Sequence, residues 1–151
     1  MAEYRETGIK DVVFGKNVIV TSPVNLYGCS IGDDCFIGPF VEIQRNAVNG
    51  DRCRVQSHSF ICEGVTIGAD GFIAHGVMFV NDLFRNGKPD RGNPENWLST
   101  KIGDNVSIGS NATLLPVSIC DNVVIGAGAV VSKDITEPGI YLGNPARKSG
   151  G

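Results

Sequence analysis

The chain has 151 residues, a formal net charge of −3 and a hydrophobic fraction of 42%. That length predicts one domain, 1–151, and the charge gives no general attraction to nucleic acid or to an anionic membrane. No apolar run approaches a membrane span, and the opening residues Met1-Ala2-Glu3-Tyr4-Arg5-Glu6 hold no signal-peptide segment, so a cytoplasmic protein is expected.

Five cysteines (Cys29, Cys35, Cys53, Cys62 and Cys120) are odd in number and include no C-x-x-C pair. They suggest neither a zinc site nor a disulfide framework. Residues Glu3 to Val13 are expected to cover the open end of a stacked array. Weaker hexads follow at Phe14, Val20 and Leu26. From Leu26 to Ile31 the step is five residues, so one corner there is shortened.

From Ile31 a six-residue step lands on Ile37, Ile43, Asn49, Val55, Ile61, Ile67, Ile73 and Phe79, eight hexads without a slip. The fifth places are Cys35, Val41, Ala47, Cys53, Ser59, Val65, Gly71 and Val77. This period fits neither an amphipathic helix nor a plain strand. The fifth place of one hexad and the first of the next are two residues apart, so strand alternation turns both to one interior. The residues between them turn a corner. Glycine often follows the large residue, as at Gly32, Gly38, Gly50 and Gly68, where tolerance of positive φ is the expected use. Three strands and three corners make a coil of about 18 residues, stacked roughly 4.8 Å from the next. Repeats this short predict a parallel β-helix. Cys35 and Cys53 then stack as small apolar fillers. Asn49, the one polar member of the main column, either finds hydrogen bonds inside or yields its place to Val48.

The pattern stops after Phe79. Residues 81–100 hold Gly87, Pro89, Gly92 and Pro94 in a polar segment that a β-helix wall cannot include, so a long extruded loop is expected. Leu83, Phe84 and Trp97 suit docking on an adjacent subunit. Hexads resume at Ile102, Ile108 and Leu114, shorten by one residue to Ile119, and end at Ile125 and Val131. Residues 135–151 form a C-terminal extension, with a mobile tail expected from Arg147.

The hexads resemble those of the hexapeptide-repeat acyltransferases, whose fold is an all-β, left-handed parallel β-helix. Three segments sharpen the likeness. Ser107-Ile108-Gly109-Ser110-Asn111-Ala112-Thr113-Leu114-Leu115-Pro116 resembles the family's run before its shortened coil. Ile125 to Asp134 resembles its final coil, and Gly143-Asn144-Pro145-Ala146-Arg147 its closing motif. The resemblance implies a homotrimer in which the pantetheine arm of acetyl-coenzyme A lies between two subunits. It places Ala112, Ala127 and Gly128 beside the arm, with Asn144 and Pro145 in the closing motif. Lys133 and Arg147 are suited to phosphates, as is Lys148.

His58 and His75, the fourth and third places of their hexads, sit at corners, so both imidazoles are expected outside on neighbouring coils. A neutral imidazole suits general-base work near neutral pH. Asp82 is a candidate to orient it or to hold an ammonium group, and Asn81 to fix a sugar hydroxyl or the thioester oxygen. Arg45, Arg52 and Arg54 form a candidate diphosphate contact, with Arg54 the one selected, or are solvated edge charges. The segment His75-Gly76-Val77-Met78-Phe79-Val80-Asn81-Asp82 resembles the branch that N-acetylates nucleotide-linked amino sugars. An O-acetyltransferase acting on a small hydroxyl acceptor is the nearest alternative, and a non-catalytic binding module a remote one. Zinc hydratase chemistry on the same fold needs three histidine ligands, and the chain has two histidines. No metal is therefore expected.

Overall fold

The computed structural model describes residues 1–90, 93 and 97–150. Residues 91, 92, 94–96 and 151 lie outside the described residues, so part of the expected extruded loop does too. Strands of two to four residues stack into three parallel faces. Face A stacks Ile9–Lys10, Asn25–Tyr27, Glu42–Ile43, Phe60–Ile61, Met78–Phe79, Thr113–Leu114 and Val130–Val131. Face B stacks Val13–Phe14, Ser30–Ile31, Val48–Asn49, Val65–Ile67, Thr100–Ile102 and Ser118–Ile119. Face C runs from Ile19–Val20 through Phe36–Ile37, Arg54–Val55, Phe72–Ile73, Ser107–Ile108 and Val123–Ile125 to Gly139–Leu142 and Arg147–Lys148. The chain visits A, B and C in turn, winding about seven coils of a left-handed parallel β-helix.

The hexads account for this winding. First-place residues Ile37, Val55, Ile61 and Ile73 and fifth-place residues Cys53 and Val77 have no exposed surface. Each fully buried Ile or Val contributes about 2 kcal/mol from area removed from water. No coil shields its own interior, so every strand relies on its neighbours above and below. Coils keep an 18-residue register where the hexads are regular, as in Ile37↔Val55 and Ile43↔Ile61. The shortened corners give 17-residue steps: Leu26↔Ile43 at one end and Ile108↔Ile125 at the other. The loop leaves at one corner of face A, and the helix closes around it, pairing Ile67 with Ile102.

Four expectations need correction. Residues up to Val13 do not form a lid: Ile9–Lys10 and Val13–Phe14 are themselves strands of the first coil. The open end they leave exposes Ile9 and Phe14, which stand in register with the buried Leu26 and Ile31. Gly32, Gly38, Gly50 and Gly68 are absent from the positive-φ residues. Left-handed backbone falls two places later, on Asp34, Phe40, Arg52, His58 and Asp70. The second-place glycines answer to space instead: a Cβ on Gly50 would sit 2.6 Å from the backbone of Gly68 in the next coil. Asn49 keeps its inward place, 2% exposed, while Val48 faces out, yet both of its side-chain polar atoms lack partners among the described residues. The tail is anchored: Arg147–Lys148 pairs antiparallel with Gly139–Leu142, and Lys148 Nζ meets Glu137 at 3.1 Å.

Candidate active site

The corner from face C to face A repeats one backbone shape in successive coils. Phe40, His58, Gly76, Asn111 and Gly128 hold its fourth place, all with φ between 63° and 72°. From His58 upward each amide bonds the third-place carbonyl of the coil below; Gly76 N donates to Ser57 O at 3.0 Å and Asn111 N to His75 O at 2.9 Å. Two outer columns result. One carries Phe40, His58, Gly76, Asn111 and Gly128; the other carries Pro39, Ser57, His75, Ser110 and Ala127.

Both histidines are exposed on this C/A edge, one coil apart. The His58 ring rests on Phe40, with centroids 5.0 Å apart and planes at 31°. Ala127 and Gly128 lie on the same edge, both exposed. Nothing stands within 4 Å of where a Cβ on Gly128 would be, so the backbone there is open to a slender ligand. The closing turn reaches the top of this edge: Val130 N bonds Gly143 O at 3.0 Å, and Ala146 N bonds Val130 O at 2.8 Å. Asn144 and Pro145, exposed, are carried by that turn. Lys133 and Arg147 line a separate cavity of about 210 Å³ at the C-terminal end, with Asp134, Tyr141 and Lys148. Two candidate histidines and four candidate donor-binding residues thus share one edge, while Lys133 and Arg147 lie apart in the end cavity.

Other candidates fall elsewhere. Ala112 is fully buried; its small size serves the interior, and its side chain lines no cleft. Asn81 and Asp82 stand at the far end of the Met78–Phe79 strand, on the A/B edge, so Asp82 orients neither histidine of its own chain. Its carboxylate holds the loop instead, accepting from Phe84 N at 2.9 Å and Asp90 N at 2.7 Å. Asn81 Nδ2 donates to Glu63 O at 3.2 Å, tying the loop's root to the coil below. The three arginines do not converge. Arg54 lies on face C with its guanidinium 4.7 Å from the Phe36 ring centroid. Arg45 stands over Tyr27 on the A/B edge, and Arg52 grips Asp70 on the B/C edge at 2.8 and 3.2 Å. Leu83 and Phe84 are exposed and Trp97 is half-buried. Among the described residues no group of three or more His, Cys, Asp or Glu is placed to hold a metal ion, and no helix is long and apolar enough to cross a membrane.

A family model described as the hexapeptide repeat of succinyl-transferase matches residues 99–133. The bifunctional protein GlmU of Dichelobacter nodosus is 30% identical over 146 residues, covering 91% of this chain and 31% of that protein. A galactoside acetyltransferase solved with coenzyme A is 30% identical, with a TM-score of 0.65 over 79% of this chain and 62% of that one. The chain carries the repeat of the hexapeptide-repeat acyltransferases. It spans about a third of the length of the curated relatives it matches. The fold extends to GDP-perosamine N-acetyl transferase from Caulobacter crescentus, 18% identical with a TM-score of 0.60, over 92% of this chain and 58% of that one.

In this hexapeptide-repeat chain the sequence reading passed over Phe40, Ser57, Ser110 and Asn111. Their signal was available: they occupy the same third and fourth hexad places as the two histidines, one coil removed. It becomes visible once those places are known to form an outer edge rather than filler between strands.

Proposed function

We propose that the chain transfers an acetyl group from acetyl-coenzyme A to the amino group of a nucleotide-linked amino sugar, by direct attack in a ternary complex. The observation that carries this reading is the C/A edge, where His58 and His75 stand in line with Ala127, Gly128, Asn144 and Pro145. The donor's slender arm lies along the open backbone at Gly128, in a groove completed by a second subunit of a homotrimer. Lys133 and Arg147 meet its phosphates. The acceptor nitrogen attacks the thioester carbonyl carbon, an imidazole of this edge takes the proton, and as the C–S bond breaks the imidazolium returns that proton to the sulfur, so the coenzyme leaves as a thiol. The Asn111 side chain, free of hydrogen bonds among the described residues, is a donor for the charge that develops on the thioester oxygen. Holding both reactants in one groove removes much of the entropic barrier.

The amine acceptor rests on the likeness of His75 to Asp82 to the amino-sugar branch. Oxygen as the acceptor atom is a second reading, favoured by the 30% identity to a galactoside acetyltransferase. Incubation with acetyl-coenzyme A and a panel of UDP-, dTDP- and GDP-linked amino sugars, galactosides and maltose, read by free thiol release, tests both. Release with the amino-sugar nucleotides alone is the expected outcome, and release with the galactosides alone replaces it with the second reading. A chain that takes up no acetyl-coenzyme A at millimolar concentration by titration calorimetry is a binding module rather than an enzyme.

A further inference from the structure

The A/B edge holds a cavity that acetyl transfer leaves without a role. Asn81, Asp82, Arg85, Asn86, Lys88 and Asp90 surround about 420 Å³ at the root of the loop, a volume within the range of small-molecule sites. Its shape is fixed by the loop's own bonds. The Asp82 carboxylate accepts from the amides of Phe84 and Asp90, so the backbone between them, which carries Arg85 and Lys88, is bent back around one anchor. Leu98 N donates to Asn81 O at 3.1 Å, closing the returning strand onto the same root. Arg85 and Lys88 enter no ion pair among the described residues.

Two cations on one cavity wall suit an anion with several oxygens: Arg offers a planar fork and Lys a mobile point charge. Asp82 keeps its full charge while it holds the two amides, so with Asp90 it balances Arg85 and Lys88 and the cavity carries both signs. Asp90, whose amide bonds Asp82, lines the same cavity and complements a ligand that carries an ammonium group beside its phosphates. A diphosphate-linked amino sugar carries both charges. The diphosphate of coenzyme A has no such cation beside it, and Lys133 and Arg147 line a different cavity, at the last coil, to meet it.

We propose that the loop-root cavity receives the diphosphate of the nucleotide-linked acceptor, with Arg85 and Lys88 as its positioning residues and Asp82 as the anchor that holds them in place. This rests on the amino-sugar nucleotide reading above. The test is titration calorimetry of UDP, GDP, dTDP and coenzyme A, each against the wild-type chain and the Arg85→Ala/Lys88→Ala double variant. Lys16→Ala, which removes an exposed cation from the B/C edge, is the charge control. At least one nucleoside diphosphate binds wild type and Lys16→Ala alike, and the double variant weakens it by about tenfold or more, the worth of one charge-assisted hydrogen bond. Coenzyme A affinity does not change. Nucleoside diphosphate binding that survives the double substitution overturns the cavity assignment and leaves the acceptor class standing. A parallel loss of coenzyme A affinity assigns the cations to the donor and overturns it as well. Coenzyme A binding without any nucleoside diphosphate binding to wild type overturns both the cavity and the nucleotide-linked acceptor. Both substitutions are at exposed positions, and an unchanged melting temperature separates lost binding from lost fold.

Discussion

Two edges of the prism have the same backbone and opposite chemistry. At the B/C edge each coil binds the next through side chains. Asp33 Oδ1 accepts from Lys16 N, Asp51 Oδ1 from Asp33 N, Asp104 Oδ1 from Ala69 N and Asp121 Oδ1 from Asp104 N, all at 2.7–2.8 Å. Asn17 reaches Asp34, Arg52 reaches Asp70 and Asn105 reaches Asn122 in the same way. The polar groups of that edge are used in holding the stack together. At the C/A edge the outward His58, His75, Ser57, Ser110 and Asn111 make no side-chain hydrogen bond among the described residues. The stack there is carried by backbone bonds and by the buried Ser59 Oγ, which donates to Ala74 O at 2.7 Å and accepts from Val77 N at 3.2 Å. A repeat fold has many equivalent corners, so it can assign one to cohesion and leave the groups of another for a ligand.

The sharpest way to break this contrast is to remove the free groups. His58→Ala with His75→Ala is expected to lower turnover by about 10²–10⁴-fold, the usual worth of a general base, with a stability cost of only about 1 kcal/mol, from the positive φ at His58 and its contact with Phe40. His58→Ala alone is expected to cost at least about tenfold. Single-turnover kinetics beside a melting curve checks both statements. Turnover that persists in the double variant removes imidazole from the mechanism and leaves positioning as the source of rate.

Glycines test the same contrast through stability. Gly68→Ala puts a Cβ onto Asp104 Oδ1 and 2.8 Å from Gly103 O, so the ladder must spread, at about 1–3 kcal/mol. Gly128→Asn places a side chain in open space on the other edge, with φ of 72° that asparagine accepts. Its stability should stay within about 0.5 kcal/mol of wild type, while the KM for acetyl-coenzyme A rises. Urea unfolding and steady-state kinetics on the two variants should give opposite patterns. Asp104→Ala removes one rung and is expected to cost about 1 kcal/mol with activity intact.

The interior was legible in the sequence because inward residues come in pairs two apart, and the pairs recur every six residues from Ile31 to Phe79. Side-chain size alone reports that. The edges were not, because what distinguishes them is contact between residues 16 to 35 apart. Gly68 and Gly76 look alike in the chain, yet one is needed for lack of room and the other sits at φ of 68°. Asp82 shares with His75 the segment that resembles the amino-sugar branch; one strand of face A separates the two and carries Asp82 to another edge. Arg45, Arg52 and Arg54 are close in number and are dealt to the A/B edge, the B/C edge and face C. The first coil was misread as a lid because its short corners break the six-residue step that reveals the others.

The third edge gives the smallest effect and the one whose size depends on pH. Cys62, 2% exposed, sits at the A/B edge just below the loop's root. Burial pushes its thiol up from an ordinary value near 9 to about 12. The folded chain therefore holds this proton more tightly than the unfolded chain does. The stability gained from the neutral thiol is complete below pH 9 and is lost as pH rises from there towards 12. At pH 9.5 the loss is under about 1 kcal/mol, and Cys62→Ala should flatten the profile by that amount. Cys29 and Cys53, whose thiols are also raised, keep a residual slope in the variant. Urea midpoints at pH 7.5, 8.5 and 9.5 measure the difference. Identical slopes for the two proteins would mean that Cys62 ionises in the fold as readily as in the open chain, and that the A/B edge admits water where the coils on either side of it exclude it.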